Sequence, residues 1–342
     1  MKVLVALSGG VDSSTTALIL KRNGYEVAGA MMLFKGVKKE DIEYARIVCS
    51  TLGIQFHLFD FTQYYQQTII ENFIKEYKGG RTPNPCVLCN KLVKFGILLE
   101  KAIEMGFDMI STGHYAKVEK KNGIYLLKKG IDRNEQSYFL YRLNQTQLSR
   151  MILPLGYYTK EEIRHLAKEY KIPTAHRKKS QDVCFLPDME YTAYLKSVIN
   201  ENRGPIYDKN GKRIGEHKGI FHYTYGQRKG IGISDKTPYY IIRIDPTENA
   251  IYVGKRQDVY KRNLVATDLN FITPLDFDKP LNVLAKTRYV ARLSPATVYL
   301  ENDKAKVCFE KPQWAITPGQ SVVFYQDDIV LGGGIISEII DN

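Results

Sequence analysis

The chain has 342 residues, 44% of them hydrophobic and 25% charged, with a formal net charge of +12. That length points to two or three domains, the composition excludes a disordered or fibrous chain, and no apolar run reaches the roughly 18 residues of a membrane span. The excess of Lys and Arg attracts polyanions, which makes nucleic acid a candidate partner. Cys49, Cys86, Cys89, Cys184 and Cys308 are an odd set in a chain that opens straight into a strand. They predict a cytoplasmic protein with thiol or metal chemistry rather than a disulfide framework.

Met1–Val5 is an apolar run short enough for a buried strand. The turn Ala6-Leu7-Ser8-Gly9-Gly10-Val11-Asp12-Ser13-Ser14 follows, and a helix is predicted over Thr15–Arg22. A strand, a Gly/Ser turn and a helix N-terminus together make an anion site, because backbone N–H groups and the helix dipole both face the turn. The turn has neither the Lys of a P-loop nor the Gly-x-Gly-x-x-Gly of dinucleotide folds. Further strands are predicted over Val27–Phe34 and Ile54–Phe59, with helices over Lys39–Leu52 and Phe61–Tyr77. This alternation predicts a Rossmann-like parallel sheet covered on both faces, with ligands beyond the carboxyl ends of its strands. Cys49 falls on the apolar helical stripe of Ile42, Ala45, Val48 and Leu52 and is read as core.

Gly79 to Lys91 holds two Gly, two Pro and an Asn, an irregular loop. A helix is predicted from Asn90, which places Cys89 at a helix N-terminus where the dipole would lower its pKa. The pair Cys86-x-x-Cys89 suits redox chemistry or metal ligation. A strand over Met109–Ala116 ends in a polar turn where Gly113 lets a ligand approach and His114 is either a substrate contact or a turn residue. Gly123 divides a hairpin of Ala116–Glu119 and Ile124–Lys128. Thr159 and Glu162 form a capping box for a helix to about Tyr170. In the second irregular loop, Pro173–Phe185, the run Arg177-Lys178-Lys179 is either a phosphate contact or a solvated surface, and Cys184 sits among polar residues. After Asn202 the patterns become short strands and turns. They predict a small β module over 203–258 and a β-barrel over 259–342, following an α/β domain over 1–202. Cys308, in an alternating strand, is read as structural. Basic residues such as Arg228, Lys229, Arg256 and Arg292 among the 24 Tyr suit an RNA backbone and unstacked bases.

The Ser-Gly-Gly-x-Asp-Ser turn resembles the pyrophosphate loop of ATP-pyrophosphatases. The wider set of strings resembles the tRNA-specific 2-thiouridylases: Ser8–Ser14, Gly80–Phe95, Ser111–Ala116, Gln136–Leu140, Ser180–Phe185, Tyr223–Gly230, Arg288-Tyr289 and Pro318-Gly319-Gln320. The resemblance runs nearly from end to end. It implies ATP-dependent exchange of the C2 oxygen of the wobble uridine for sulfur. ATP would lie on Ala6, Leu7, Ser8, Gly9, Gly10, Val11, Asp12 and Ser13, with Met32 and Gly113 beside the adenosine and Asp12 helping to hold Mg2+. Cys184 would carry a persulfide from a donor protein, or sulfide would serve as donor, and Cys89 would be the nucleophile that leaves a Cys89–Cys184 disulfide. Asn84, Pro85, Cys86, His114, Glu135, Gln136, Arg288, Tyr289 and Gln320 would contact the target base or the anticodon loop of tRNA. No membrane is implied. The alternative is a non-catalytic tRNA-binding protein.

The chain departs from the family's usual pattern at Cys86, where Asp is common. With Cys89 and Cys184 this makes a three-cysteine set that would hold a [4Fe–4S] cluster with one iron open to sulfide. A second departure is Asn134-Glu135-Gln136, where Lys-Asp-Gln is common.

Overall fold

In the computed structural model, which describes residues 1–177, 183–187, 189–275 and 279–340, strand β1 (Lys2–Ala6) buries its residues on both sides. Leu4 and Ala6 face one apolar cluster and Val3, Val5 and Leu7 face another, the period-two alternation of a strand sandwiched between helical layers. Next come α1 (Val11–Arg22), β2 (Glu26–Leu33), α2 (Lys39–Leu52), β3 (Gln55–Asp60), α3 (62–78), α4 (85–104), β4 (Met109–Ser111), β5 (Ala116–Lys121), β6 (Ile124–Lys129), α5 (Gln145–Ser149), β7 (Met151–Ile152), α6 (Lys160–Glu169) and α7 (Tyr191–Val198). Among the described residues β3, β2, β1, β4 and β7 form a parallel sheet in that order. The order reverses direction at β1, so the loop after β1 opens at the switch point where α/β sheets bind ligands.

Cys49 lies in the core as expected. A Cβ on Gly29 of β2 would stand 2.5 Å from the Cys49 Sγ, so the missing side chain is what lets α2 dock. Burial pushes that thiol up to about 11.

Several boundaries differ from the sequence reading. Helix α1 begins at Val11 rather than Thr15, so Asp12, Ser13 and Ser14 form its first turn. Helix α4 begins at Pro85 rather than Asn90. Proline lacks an N–H, but the first helical position needs none, so Pro85 starts the helix instead of breaking it. Strand β4 is only Met109–Ser111, and residues 112–115 are loop. The short helices α5 and α7 carried no signal in the sequence reading.

The β module comprises β8 (Gly204–Asp208), β9 (Arg213–His217), β10 (Tyr240–Asp245) and β11 (Ala250–Gly254), in the order β10-β11-β8-β9. The barrel follows, with β12 (Tyr260–Phe271), β13 (Leu281–Lys286), β14 (Ser294–Glu301), β15 (Lys304–Trp314), β16 (Ser321–Gln326) and β17 (Ile329–Ile340). These strands close in the order β12-β15-β14-β13-β16-β17, with β17 returning to β12, which removes sheet edges. The N-terminal hairpin β5–β6 adds to β17 through the pairing of Lys128 with Ile329. The α/β domain therefore contributes two strands to the barrel's sheet. Cys308 is half-buried in β15, opposite Asn263 and Thr297. No helix among the described residues is long and apolar enough to cross a membrane.

Candidate active site

The loop after β1 is built for backbone contact. The side chains of Ala6, Leu7 and Val11 are buried in the core, which leaves their backbone groups to line the turn. Gly9 has φ +71°, and a Cβ there would lie 2.7 Å from the Asp41 carbonyl, so only glycine fits. The Ser13 hydroxyl closes the loop by accepting from the Ser8 N–H at 3.1 Å, with the two hydroxyls 3.2 Å apart. Ser14 donates to the Gly10 carbonyl at 2.9 Å. Gly10, the N-cap of α1, offers no side chain to the helix's first N–H groups, and such an end suits a phosphate.

Three further residues shape this loop: Lys160 and Tyr115, to which the sequence reading assigned no role, and Arg177, which it left as either a phosphate contact or a solvated surface residue. Lys160, at the start of α6, pairs with the Asp12 carboxylate, and the Tyr115 hydroxyl donates to the same carboxylate oxygen at 2.8 Å. Arg177 donates to the Gly9 carbonyl and to Asp41, both at 2.7 Å. The loop lacks its own lysine, and Lys160 supplies a cation from 148 positions away. The available signal was the Thr159 capping box, which the structure forms with Glu162. Lys178, Lys179, Ser180, Gln181 and Asp182 lie outside the described residues.

Gly113 packs against the same loop from β4's side. A Cβ there would stand 2.9 Å from the Ser13 N and 3.0 Å from the Asp12 carbonyl carbon. Its neighbour His114 is buried, with Nδ1 2.7 Å from the Thr112 hydroxyl and its ring 6.2 Å from that of Phe95 on α4. Burial, and then the Lys94 ammonium, hold His114 well below its ordinary pKa, so it is neutral at physiological pH.

Cys86 and Cys89 lie in the first turns of α4, with Asn84 as its N-cap and Pro85 as its first residue. Cys86 is exposed yet ringed by protein, and Cys89 is buried. Cys89 is thus not at a helix end, and its pKa is not lowered. Burial pushes the Cys89 thiol up to about 11, against a lowering pull from Lys94, while burial and then Cys184 push Cys86 up to about 12. The Tyr65 hydroxyl hydrogen-bonds Cys89, and the Tyr65 ring stacks on Phe34 at 4.2 Å. Cys184 is exposed, but the next residue, Phe185, is buried against Phe73 at 5.2 Å and Tyr65 at 6.1 Å. Gly36, with φ +99°, lets the chain pass: a Cβ there would lie 2.8 Å from the Cys184 carbonyl. All three thiols act electrostatically on Tyr65, which places them in one neighbourhood. All five cysteines are free. Among the described residues no three His, Cys, Asp or Glu side chains are arranged to hold a single metal ion.

The phosphate loop and the thiols share two connectors. Met32, buried at the end of β2, is four residues from Gly36, at most about 14 Å of extended chain. Gly113 touches α1 while His114 touches α4.

The remaining residues matched to RNA contact make hydrogen bonds or ion pairs within the protein, some of them across domain boundaries. Glu135 accepts from the Ser137 hydroxyl at 2.6 Å and pairs with Lys286 at 3.5 Å. Gln136 accepts from the Tyr115 N–H at 3.1 Å. Arg288 donates to the Tyr225 carbonyl at 3.1 Å and to the Thr317 hydroxyl. Tyr289 donates to the Asn134 carbonyl at 3.1 Å. Gln320 donates to the carbonyls of Thr82 and Pro83.

Comparison with known proteins matches residues 1–188 to a tRNA methyl transferase HUP domain, 192–255 to a tRNA methyl transferase PRC-barrel domain and 261–336 to an aminomethyltransferase beta-barrel domain. The chain is 45% identical to a tRNA-specific 2-thiouridylase of Halothermothrix orenii, covering 98% of this chain and 99% of that one. It is 46% identical to one of Thermoanaerobacter sp., covering 98% and 97%, and 44% identical to one of Carboxydothermus hydrogenoformans, covering 98% of each.

Proposed function

Because the chain belongs to the tRNA-specific 2-thiouridylase family, we propose that it is a sulfurtransferase that exchanges the C2 oxygen of the wobble uridine of tRNA for sulfur at the expense of ATP. The observation that carries this reading is the pair Gly113-His114, one residue against the phosphate loop and the next against the cysteine helix. Activation and sulfur delivery are thereby joined in one site.

The loop residues Ser8, Gly9, Gly10 and Ser13 fit triphosphate, with Met32 and Gly113 beside the adenosine. Asp12 is the residue that would hold magnesium, and Lys160, its partner without nucleotide, would meet phosphate. The uridine C2 oxygen attacks the α-phosphorus, an O–P bond forms and pyrophosphate leaves. The C2 oxygen is now part of a good leaving group. The terminal sulfur of a Cys184 persulfide bonds to C2, and AMP departs with the C–O electron pair. Cys89 then attacks the Cys184 Sγ, which leaves sulfur on the base and forms a Cys89–Cys184 disulfide; a thiol reductant returns the two electrons. The protonated resting state of the thiols means that Cys89 loses its proton during turnover, and Lys94 is the cation placed to favour that. A persulfide-carrying protein is the implied donor, and the cytosol, where tRNA and reduced thiols coexist, is the implied compartment. The anticodon loop is already single-stranded, so splaying its base is inexpensive. The working division is 1–202 for catalysis, with 203–258 and 259–342 holding RNA.

A second reading is favoured by Cys86, whose thiol interacts with both Cys89 and Cys184. The donor set is three thiols with no carboxylate among them, and it fits a [4Fe–4S] cluster, whose ligands spread wider than those of a single ion. Cys86, Cys89 and Cys184 would hold it, and its open iron would supply sulfide to the activated base. Anaerobic purification with iron and acid-labile sulfide analysis separates the readings. Colourless protein that thiolates tRNA at full rate from a persulfide donor removes the cluster. Mass spectrometry of wobble nucleosides after deletion of this chain tests the activity itself, and unchanged 2-thiouridine rejects it.

A further inference from the structure

The segment Gly80–Pro83 leads directly into the helix that carries Cys86 and Cys89; the Gly80 and Arg81 N–H groups donate back to the Tyr77 and Glu76 carbonyls of α3, and beyond Arg81 that local support ends. Pro83 and Pro85 lack N–H donors, so the local ladder that would fix such a turn is missing. The other two domains hold it instead. Gly80, at φ +67°, lies under Ile244 of β10, where a Cβ would come within 2.8 Å of its Cγ2. The Thr82 N–H donates to the Pro318 carbonyl at 2.9 Å. The Thr82 hydroxyl is 2.5 Å from that of Thr224 in the β module. The Gln320 amide donates to the Thr82 carbonyl at 2.8 Å and to the Pro83 carbonyl at 3.2 Å, which uses both of its N–H groups. Gly319, at φ +92°, allows this approach, since a Cβ there would sit 2.9 Å from the Thr82 N and O.

We infer that Thr224 and Gln320 are positioning residues for the thiol helix. They form a clasp that sets where Cys86 and Cys89 stand relative to an RNA seated on the β module and barrel. Gln320 spends its donors on the protein and not on RNA. The functional part of this inference rests on the thiolation reading above; the clasp itself does not. Misplacing a reacting group by about 1 Å is enough to cost two orders of magnitude in rate.

The test uses the full chain with Gln320→Ala, Thr224→Val and Thr224→Ser. Three quantities are read: tRNA affinity by filter binding, single-turnover thiolation rate, and the iodoacetamide labelling rate of Cys86 and Cys89 resolved by peptide. The expected result for Gln320→Ala and Thr224→Val is tRNA affinity within twofold of wild type, thiolation slowed at least tenfold and labelling changed at least threefold. Thr224→Ser, which keeps the hydroxyl, restores all three. A tenfold loss of tRNA affinity with unchanged labelling makes Gln320 a direct RNA contact and overturns the inference, as does no change in rate or labelling. Thr224→Val is nearly isosteric, so it still decides the question if Gln320→Ala does not fold. If wild-type protein fails to thiolate tRNA, the proposed function fails, while the labelling arm still reports on the clasp.

Discussion

Replacing Gly113 by alanine adds one methyl at the closest approach between the β4 loop and the phosphate loop. The methyl would stand 2.9 Å from the Ser13 N, 3.0 Å from the Asp12 carbonyl carbon and 3.1 Å from the Asp12 Cβ. Two of these are backbone atoms in the first turn of a helix, and no side-chain rotation relieves them. Gly113 does not have a positive φ, so the perturbation is the contact alone. Overpacking by one methyl in a close-fitted site costs about 1–3 kcal/mol. That cost appears in one of two places. If the start of α1 moves aside, the loop loses its fit to phosphate and ATP affinity falls, with about 1.4 kcal/mol for each tenfold in Kd. If the loop holds its shape, the same cost appears as lost stability. Calorimetric titration with ATP and urea denaturation, on wild type and Gly113→Ala, together recover the sum. Free adenosine should bind the variant with a smaller loss than ATP, because the clash lies at the phosphate end. ATP affinity within twofold of wild type, together with an unchanged urea midpoint, would refute the reasoning.

Lys160→Met removes the cation from a partly buried pair with Asp12; ATP affinity should fall about tenfold in calorimetry, about 1.4 kcal/mol. His114 stays neutral in the folded chain because burial and Lys94 depress its pKa, whereas in the unfolded chain it takes a proton near 6.5. Stability is therefore lost as pH falls, by at most about 1.4 kcal/mol between pH 7.5 and 5.5, and His114→Asn should remove that part of the slope in urea titrations. Tyr65→Phe deletes the hydroxyl that favours the Cys89 thiolate, so peptide-resolved alkylation of Cys89 at pH 8 should slow rather than quicken. Cys89→Ser and Cys184→Ser should each abolish thiolation of tRNA, and activity in either variant removes that cysteine from the chemistry.

The alternation of strands and helices was legible because a parallel sheet buries both faces of its strands, and Val3–Leu7 and Val27–Phe34 read as near-continuous apolar runs. The phosphate loop was legible for a similar reason: its glycines and serines are adjacent in sequence. What was not legible depends on pairing across long separations. Lys160 reaches Asp12 through the packing of α6 beside α1, and no local pattern encodes that. The addition of β5–β6 to β17 is set by register between segments 200 residues apart. Pro85 was read as a loop residue because its effect depends on whether it precedes a helix or interrupts one. The expected low pKa of Cys89 failed because a dipole acts at the helix end, while Cys89 is the fifth residue and buried, where desolvation outweighs it. Arg288, Tyr289 and Gln320 were matched as RNA contacts, and only coordinates reveal that each also donates a hydrogen bond to another domain.

Those occupied side chains bear on how the site attains precision. Oxygen-to-sulfur exchange needs the base, the α-phosphate and a sulfur within about 3–3.5 Å of productive geometry, although three domains surround them. Beside the side-chain clasp of Thr224 and Gln320, the connectors are short stretches of backbone. Met32 to Gly36 links the nucleotide end of β2 to Cys184, Gly113-His114 links α1 to α4, and Gly80–Pro83 links α4 to the module and the barrel. Each carries a glycine at which an added Cβ would meet another segment within 3 Å, so its length is fixed by covalent geometry and its seating by steric fit. The loop after β1 is thereby tied to the segments that carry Cys86, Cys89 and Cys184. Desolvation holds the Cys86 and Cys89 thiols protonated in the resting protein.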